Sequence, residues 1–273
     1  MKYQKCITLV YGLLCFLIAE AQQSFFIPAQ KIQPYRILGH NDYGYIGGNK
    51  FSGDFTMAID SFEMSGLITL GQYKEYLTAI KKDSSELYYQ AQLPDPKMLS
   101  KEDYSKYLSD RSFEKFPVAG VSWDAAMNYC KWRTLRQNIG PLEFIYRLPK
   151  ISEWLSAYAF LKGNDKNDLS KNYSDWTMSL YFEGGSFSDT TFAYDILYIQ
   201  NINDKPRDKR KRVIGGSYLI QHESLGQHLS RGYYSFEGHR EIGFRLIKEY
   251  LKNDDPKSLP SRIMQYWGIP IGN

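Results

Sequence analysis

The sequence predicts an α+β fold rich in loops. Helical caps and apolar spacing are confined to three segments between about residues 69 and 161, whereas the text beyond Asp175 alternates short strand-like runs with turns. Aromatic content is 16%, with 23 Tyr, so the core is expected to rest on Tyr, Phe and Trp packing more than on aliphatic helices. The length of 273 residues fits one large domain or two small ones.

Taken in order, residues 1–21 predict a secretory signal peptide. Lys2 and Lys5 give a positive start, Ile7 to Ile18 is largely apolar, and Ala19-Glu20-Ala21 puts small residues at the cleavage-defining positions before Gln22. That apolar run is short for a membrane span. Cys15 follows Leu14, where a lipid-attachment signal wants a small side chain. The chain is therefore expected to be exported, periplasmic or secreted, with no transmembrane segment after cleavage. It would then keep Cys130 as its one cysteine, so no intramolecular disulfide could form. Removing two bases and one acid with the leader takes the formal charge from +4 to +3, too little to argue for nucleic acid as a partner.

Residues 22–50 read as irregular, with Asn41-Asp42-Tyr43-Gly44 and Gly47-Gly48-Asn49 suggesting a loop or short hairpin. Thr69 fits the N-cap of a helix running to about Lys81, because its hydroxyl can accept an orphan amide of the first turn. Ser122 caps a second helix behind Val121, with Ala125, Ala126, Tyr129, Cys130 and Trp132-Arg133 as its apolar stripe. Ile151 to Leu161 is a third helix, entered through Pro149. Strands are expected over Thr190–Ile199, Arg212–Ile220 and Gly243–Ile247. Trp123, Trp132 and Trp154 are the expected core tryptophans.

Six fragments, in order over about 190 residues, together resemble the formylglycine-generating enzyme, or sulfatase-modifying factor, family. They are Phe62-Glu63-Met64-Ser65 with Gln72 to Leu77; Phe116 to Ala126 with Tyr129-Cys130-Lys131-Trp132; Tyr146-Arg147-Leu148-Pro149 with Glu153-Trp154; Asn172 to Tyr181 around Asp175-Trp176-Thr177; Gly215-Gly216-Ser217-Tyr218-Leu219-Ile220; and Arg231 with Ile242-Gly243-Phe244-Arg245-Leu246. The resemblance implies one domain over residues 51–250 in a loop-rich α+β fold related to C-type lectins, followed by a tail over 251–273. It also implies an oxidase frame, since that family converts a sulfatase cysteine to formylglycine with a pair of thiols. Here the matching positions are Ile220 and Leu225.

Other departures concern the family's cleft. Only 17 residues separate Trp154 from Asn172, where the family inserts a long loop carrying much of its calcium ligation, and Lys171 and Ser174 replace a glycine and a tryptophan. No metal, cofactor or catalytic residue is therefore assigned. The surface expected to meet a ligand or partner is Ser217, Tyr218, His222, Arg231 and Tyr234, where tyrosines give contact area and Arg231 a planar fork suited to a peptide or carboxylate. Arg231 matches a family arginine in the substrate groove after a one-residue shift; the competing expectation is that it lies in an ion pair holding the last strand. Cys130 is expected to be a buried core thiol. Glu153 and Asp175 are expected to be buried and hydrogen-bonded rather than an acid and base pair.

The run Lys205-Pro206-Arg207-Asp208-Lys209-Arg210-Lys211-Arg212 is expected to be a solvated loop, or else a contact for anionic lipid, acidic glycan or an acidic protein face. The apolar stretch Met264 to Pro270 either folds back or docks on a partner. These readings point to an exported, non-catalytic binding or scaffold module of the cell envelope that meets a protein or peptide. The text Cys130-Lys131-Trp132-Arg133-Thr134 also resembles lipoproteins of the gliding-motility and type IX secretion machinery. Two alternatives stay open: a cysteine-independent oxidase acting on a peptide or secondary metabolite, for which His222, His228 and His239 are the visible means of holding a metal, and a lectin-like small-ligand receptor.

Overall fold

The computed structural model describes residues 24–34, 43–46, 49–52, 56–138, 140, 142–162, 169, 173–180, 210–216 and 230–251. Their strands are β1 (Ser24–Ile27), β2 (Gln30–Ile32), β3 (Tyr43–Ile46), β4 (Asn49–Ser52), β5 (Met57–Ile59), β6 (Phe62–Ser65), β7 (Phe144–Arg147), β8 (Ser174–Leu180), β9 (Arg210–Ile214), β10 (Ser230–Tyr234), β11 (Ile242–Gly243) and β12 (Ile247–Tyr250). The helices are α1 (Leu70–Ile80), α2 (Glu86–Gln92), α3 (Lys101–Ser109), α4 (Trp123–Gln137) and α5 (Ile151–Leu161).

The helix starts follow from their caps. Thr69 Oγ1 accepts from the Gln72 amide at 3.3 Å, while the Gln72 side chain accepts from the Thr69 amide at 3.0 Å, a reciprocal capping box. Ser122 Oγ accepts from the Ala125 amide at 3.2 Å and starts α4 behind the fully buried Val121. At α5 the side chain of Glu153 turns back to accept from the Lys150 amide at 2.8 Å. Ser85 and Ser100 cap α2 and α3 in the same manner, but these helices bury only Gln92 and Tyr107, so they carry no apolar stripe for the sequence to announce.

Two four-stranded sheets organise the chain, in the orders β1-β6-β12-β7 and β10-β9-β8-β11. The first is antiparallel throughout; in the second, β11 runs parallel to β8. Strands β2 and β5 form one two-stranded sheet, and β3 and β4 another, which is the short hairpin expected over 41–49. Residues 24–27 are not irregular: their backbone pairs antiparallel with β6 and completes the first sheet.

Helix α5 packs against β1, β2, β5 and β8. This position explains why nearly all of it is buried, with Trp154, Leu155 and Ala157 meeting Ile27, Met64, Ile214 and Ile247. The second cluster, around α1 and α4, is built from rings. Tyr73, Tyr76, Tyr129 and Phe244 are fully buried with centroids 5.5–6.2 Å apart in edge-on and stacked pairs. Such pairs contribute about 0.5–1.5 kcal/mol each beyond the area they bury.

The core departs from expectation at three places. Trp123 and Trp132 are only half-buried, the latter at the rim where Arg136 lies 5.1 Å over its ring, and Arg133 and Thr134 take the buried positions beside it. Trp176, which was not among the expected core tryptophans, is fully buried and donates its indole N–H to the Val121 carbonyl at 2.9 Å. Arg210-Lys211-Arg212 do not form a solvated loop but strand β9, with Lys211 buried and its ammonium 4.0 Å from the centre of the Trp123 ring. The expected strand over 212–220 thus starts at Arg210 and ends at Ile214, and the one over 243–247 is split into β11 and β12 by residues 244–246. The strand expected over 190–199 lies outside the described residues.

Candidate functional site

The end of β9 turns at Gly215, whose φ of 97° is left-handed; a Cβ there would sit 3.1 Å from the Trp154 ring and 3.3 Å from the Leu169 carbonyl, so glycine is required on both counts. Ser174 Oγ donates to the Gly215 carbonyl at 2.9 Å and accepts from Arg231 Nη2 at 2.7 Å. One residue on, the Asp175 carboxylate accepts from the Trp154 indole at 2.8 Å and from Arg245. Asp175 is wholly buried, and burial raises its carboxyl above the usual range even though Arg245 and Trp154 pull it down.

Arg231, central on β10, has a side chain 21% exposed and makes three polar contacts. Besides Ser174 it donates to Tyr233 Oη at 3.2 Å and faces Glu241 at 3.7 Å, just before β11. The ion pair expected at the last strands therefore exists, although its separation is long, while the Nε of Arg231 is buried with no hydrogen-bond partner among the described residues. The segment 235–241 is itself laced down: Ser235 O accepts from the Asp124 amide, His239 O from the Gly120 amide, and Glu241 O from the Ser174 amide, each at 3.0 Å.

Tyr234 lies on the open side. Its ring stacks on Phe236 at 5.6 Å and 10°, Phe236 is 51% exposed, and the Arg210 guanidinium sits 5.6 Å over Tyr234. Glu237 accepts from the Tyr234 amide at 3.0 Å and pins the turn that makes the two rings parallel. The sequence reading missed Phe236 and placed Arg210 in a loop; the i, i+2 spacing of Tyr234 and Phe236 at a strand end was the available signal. Ser217, Tyr218 and His222 lie outside the described residues, as do Ile220, Leu225 and His228.

Cys130 has no exposed surface, and burial pushes its thiol well above the ordinary range, opposite to what a reactive thiolate needs. His239 packs its ring 4.1 Å from that of Tyr233 and lies 3.8 Å from Glu237. Among the described residues no group of three or more His, Cys, Asp or Glu is placed to hold a metal, and no helix is long and apolar enough to cross a membrane. Glu153 forms a two-pronged pair with Arg147 at 2.6 and 2.7 Å, which fixes it as a structural carboxylate.

The order of these elements, with the Arg147-Glu153 pair joining β7 to the first turn of α5 and the Gly215 turn after β9, follows the order of the sequence fragments. Residues 39–173 match the sulfatase-modifying factor enzyme 1-like domain. The α+β fold is also that of a solved structure of CarF, which is 15% identical over 85% of this chain and 99% of that one with a TM-score of 0.50. PvdO from Pseudomonas aeruginosa superposes with a TM-score of 0.48 at 13% identity, covering 83% of this chain and 94% of its own. Treponema denticola variable protein 1 gives 0.47 at 13% identity, covering 84% and 99%. No curated protein sequence matches the chain.

Proposed function

We propose that this chain is an exported, non-catalytic binding module on a sulfatase-modifying-factor-like frame, and that it meets a protein or peptide of the cell envelope on the surface around Arg231 and Tyr234. The observation that carries the reading is the Tyr234–Phe236 pair: two parallel rings, exposed beside Arg210 and backed by the braced segment 235–241. Rigid aromatic area next to a guanidinium is the composition of contact hot spots, because it loses little entropy on binding. Ser217, Tyr218 and His222, which follow the Gly215-Gly216 turn, are proposed to extend this surface.

Loss of thiol chemistry supports the non-catalytic part. Copper(I) is a soft ion that wants sulfur ligands, and the matching positions are Ile220 and Leu225, while Cys130 is sealed in the core. Export rests on the leader read in residues 1–21. The likeness to gliding-motility and secretion lipoproteins rests on a stretch whose Cys130, Arg133 and Thr134 are buried, so it speaks for shared packing and leaves the partner open. A lectin-like receptor would use the same rings to stack a sugar.

A photo-crosslinking residue at position 236, compared with one at the highly exposed Leu87, tests the reading in the native envelope. The expected result is a discrete adduct specific to 236 that Tyr234→Ala removes while the melting temperature holds. Identical adducts at both positions, or aldehyde produced from a sulfatase-motif peptide with copper and oxygen, would overturn it.

A further inference from the structure

The first sheet has one face covered by α5 and a second that α4 covers only at its β7 end. Ile27, Met64 and Ile247 point inward onto α5. By the period-two alternation of strands, Phe26, Glu63, Lys248 and Tyr146 share the other face; Tyr146 is half-buried there beside α4, its hydroxyl donating to Gln137 at 2.8 Å and the Arg133 guanidinium 5.5 Å over its ring. The register makes them one row across four strands: Phe26 opposite Glu63, Glu63 opposite Lys248, and Lys248 opposite Tyr146. Phe26 is 64% exposed, and in the next row Tyr250, opposite Phe144, is 56% exposed. The Lys248 ammonium lies 4.1 Å from the Phe144 ring centre and 4.9 Å from that of Tyr250. Exposing a Phe, a Tyr and a cation held over rings on one flat face costs solvation unless something covers them.

The order of that row is aromatic, acid, base, aromatic. We infer that this face is a self-complementary surface through which two copies of the chain pair. Consider a two-fold axis parallel to the strands, running between β6 and β12. It lays Glu63 of the second copy over Lys248 and Phe26 of the second copy over the half-buried Tyr146, and each contact occurs twice because the pairing is reciprocal. Acid meets base and ring meets ring without any shift of register. An acidic or basic partner of another kind would match only half the row. The face spans four strands at about 4.8 Å spacing. It is thus at the small end of specific interfaces, below about 1,200 Å² in total, and pairing will depend on concentration.

The pairing is separate from the Arg231 and Tyr234 surface and does not rest on it. Sedimentation equilibrium of the purified protein over a concentration series should show a reversible monomer–dimer exchange. Lys248→Glu and Glu63→Lys should each weaken the dimer at least tenfold, and Phe26→Ser should do so without touching a charge. An equimolar mixture of the two charge variants should recover pairing, since acid then meets base at both contacts between the copies. Within one chain the altered residue still sits beside a like charge, so recovery on mixing reports only the contact between copies. A protein that stays monomeric throughout, a dimer indifferent to Phe26→Ser, or charge variants that fail to recover on mixing would each overturn the proposal.

Discussion

The indole of Trp154 donates to the carboxylate of Asp175 at 2.8 Å, tying α5 to β8, and Arg245 closes the other side of the same carboxylate. All three residues are buried, so the cluster joins the helix between the sheets to the strand that supports Arg231. Asp175→Ala would leave the Arg245 charge buried without its acid, which typically costs about 3–5 kcal/mol. That is a large part of the about 5–15 kcal/mol by which a domain is stable. Asp175→Ala should therefore unfold well below the wild type in a thermal melt, and Asp175→Asn, which still accepts from Trp154, should fall between them.

The caps of α1, α4 and α5 were legible because each is a local exchange between a side chain and amides of the next turn. The capped α2 and α3 were not, since only Gln92 and Tyr107 are buried there and an almost wholly exposed helix has no periodic signal. The same limit hid strand β1. Its role depends on pairing with β6, about 40 residues on, and no local pattern in Ser24–Ile27 specifies that partner. At the candidate site, Arg231 and Tyr234 were legible from the family frame. What Arg231 touches was not, because Ser174 and Glu241 come to it only through the order of β10, β9 and β8. A run of bases reads as solvent-seeking, yet Lys211 is covered once the ring of Trp123 gives its ammonium a partner.

The tryptophans should separate by burial. Trp154 and Trp176 are fully enclosed and each donates a hydrogen bond, so truncation to Ala should cost about 3–5 kcal/mol, the range for large buried rings. Trp132 is half-buried at the rim and should cost clearly less. Denaturant midpoints of the three variants check the ranking. An equal loss for Trp132→Ala would mean that its packing on Tyr76 and Tyr129 matters more than its exposure suggests.

Glu153 gives the protein an acid-sensitive pair. Burial alone would raise its carboxyl, but Arg147 and Lys150 together outweigh burial and hold it below the ordinary glutamate range. A carboxyl lowered in the folded state contributes stability that is present above the unfolded value of about 4.3 and is lost as pH falls through the folded value. Glu153→Gln should accordingly be less stable than wild type near neutral pH, with Glu249 still partnering Arg147. The gap should narrow as the medium is taken below about pH 4. Thermal melts of both proteins from pH 7 to pH 3 measure it; a gap unchanged across that range would show that Glu153 does not titrate with folding.

Arg231 decides whether the candidate surface and the framework can be separated. Removing its guanidinium takes a charged donor from Ser174, but Ser174 still donates to the Gly215 carbonyl and is not left without a partner. Tyr233 is only half-buried and can turn its hydroxyl to water, and Glu241 loses a cation that was already 3.7 Å away. Hydrogen bonds to charged groups contribute about 1.5–3 kcal/mol, and partial exposure places this one toward the low end. Arg231→Ala should consequently fold and melt several degrees below wild type, at about 2–4 °C per kcal/mol for a domain of this size. Arg231→Lys keeps the charge but lacks the fork that reaches Ser174 and Tyr233 together, so it should recover little of the loss. Phe236→Ala and Tyr234→Ala, whose rings project from the surface, should leave the melting temperature within about 1 °C, as exposed substitutions away from buried networks usually do. If Tyr234→Ala abolishes the crosslink from position 236 while Arg231→Ala weakens it only in proportion to its lost stability, Arg231 is a brace and the paired rings are the contact; a crosslink lost in Arg231→Lys with no fall in melting temperature would instead put the guanidinium itself against the partner.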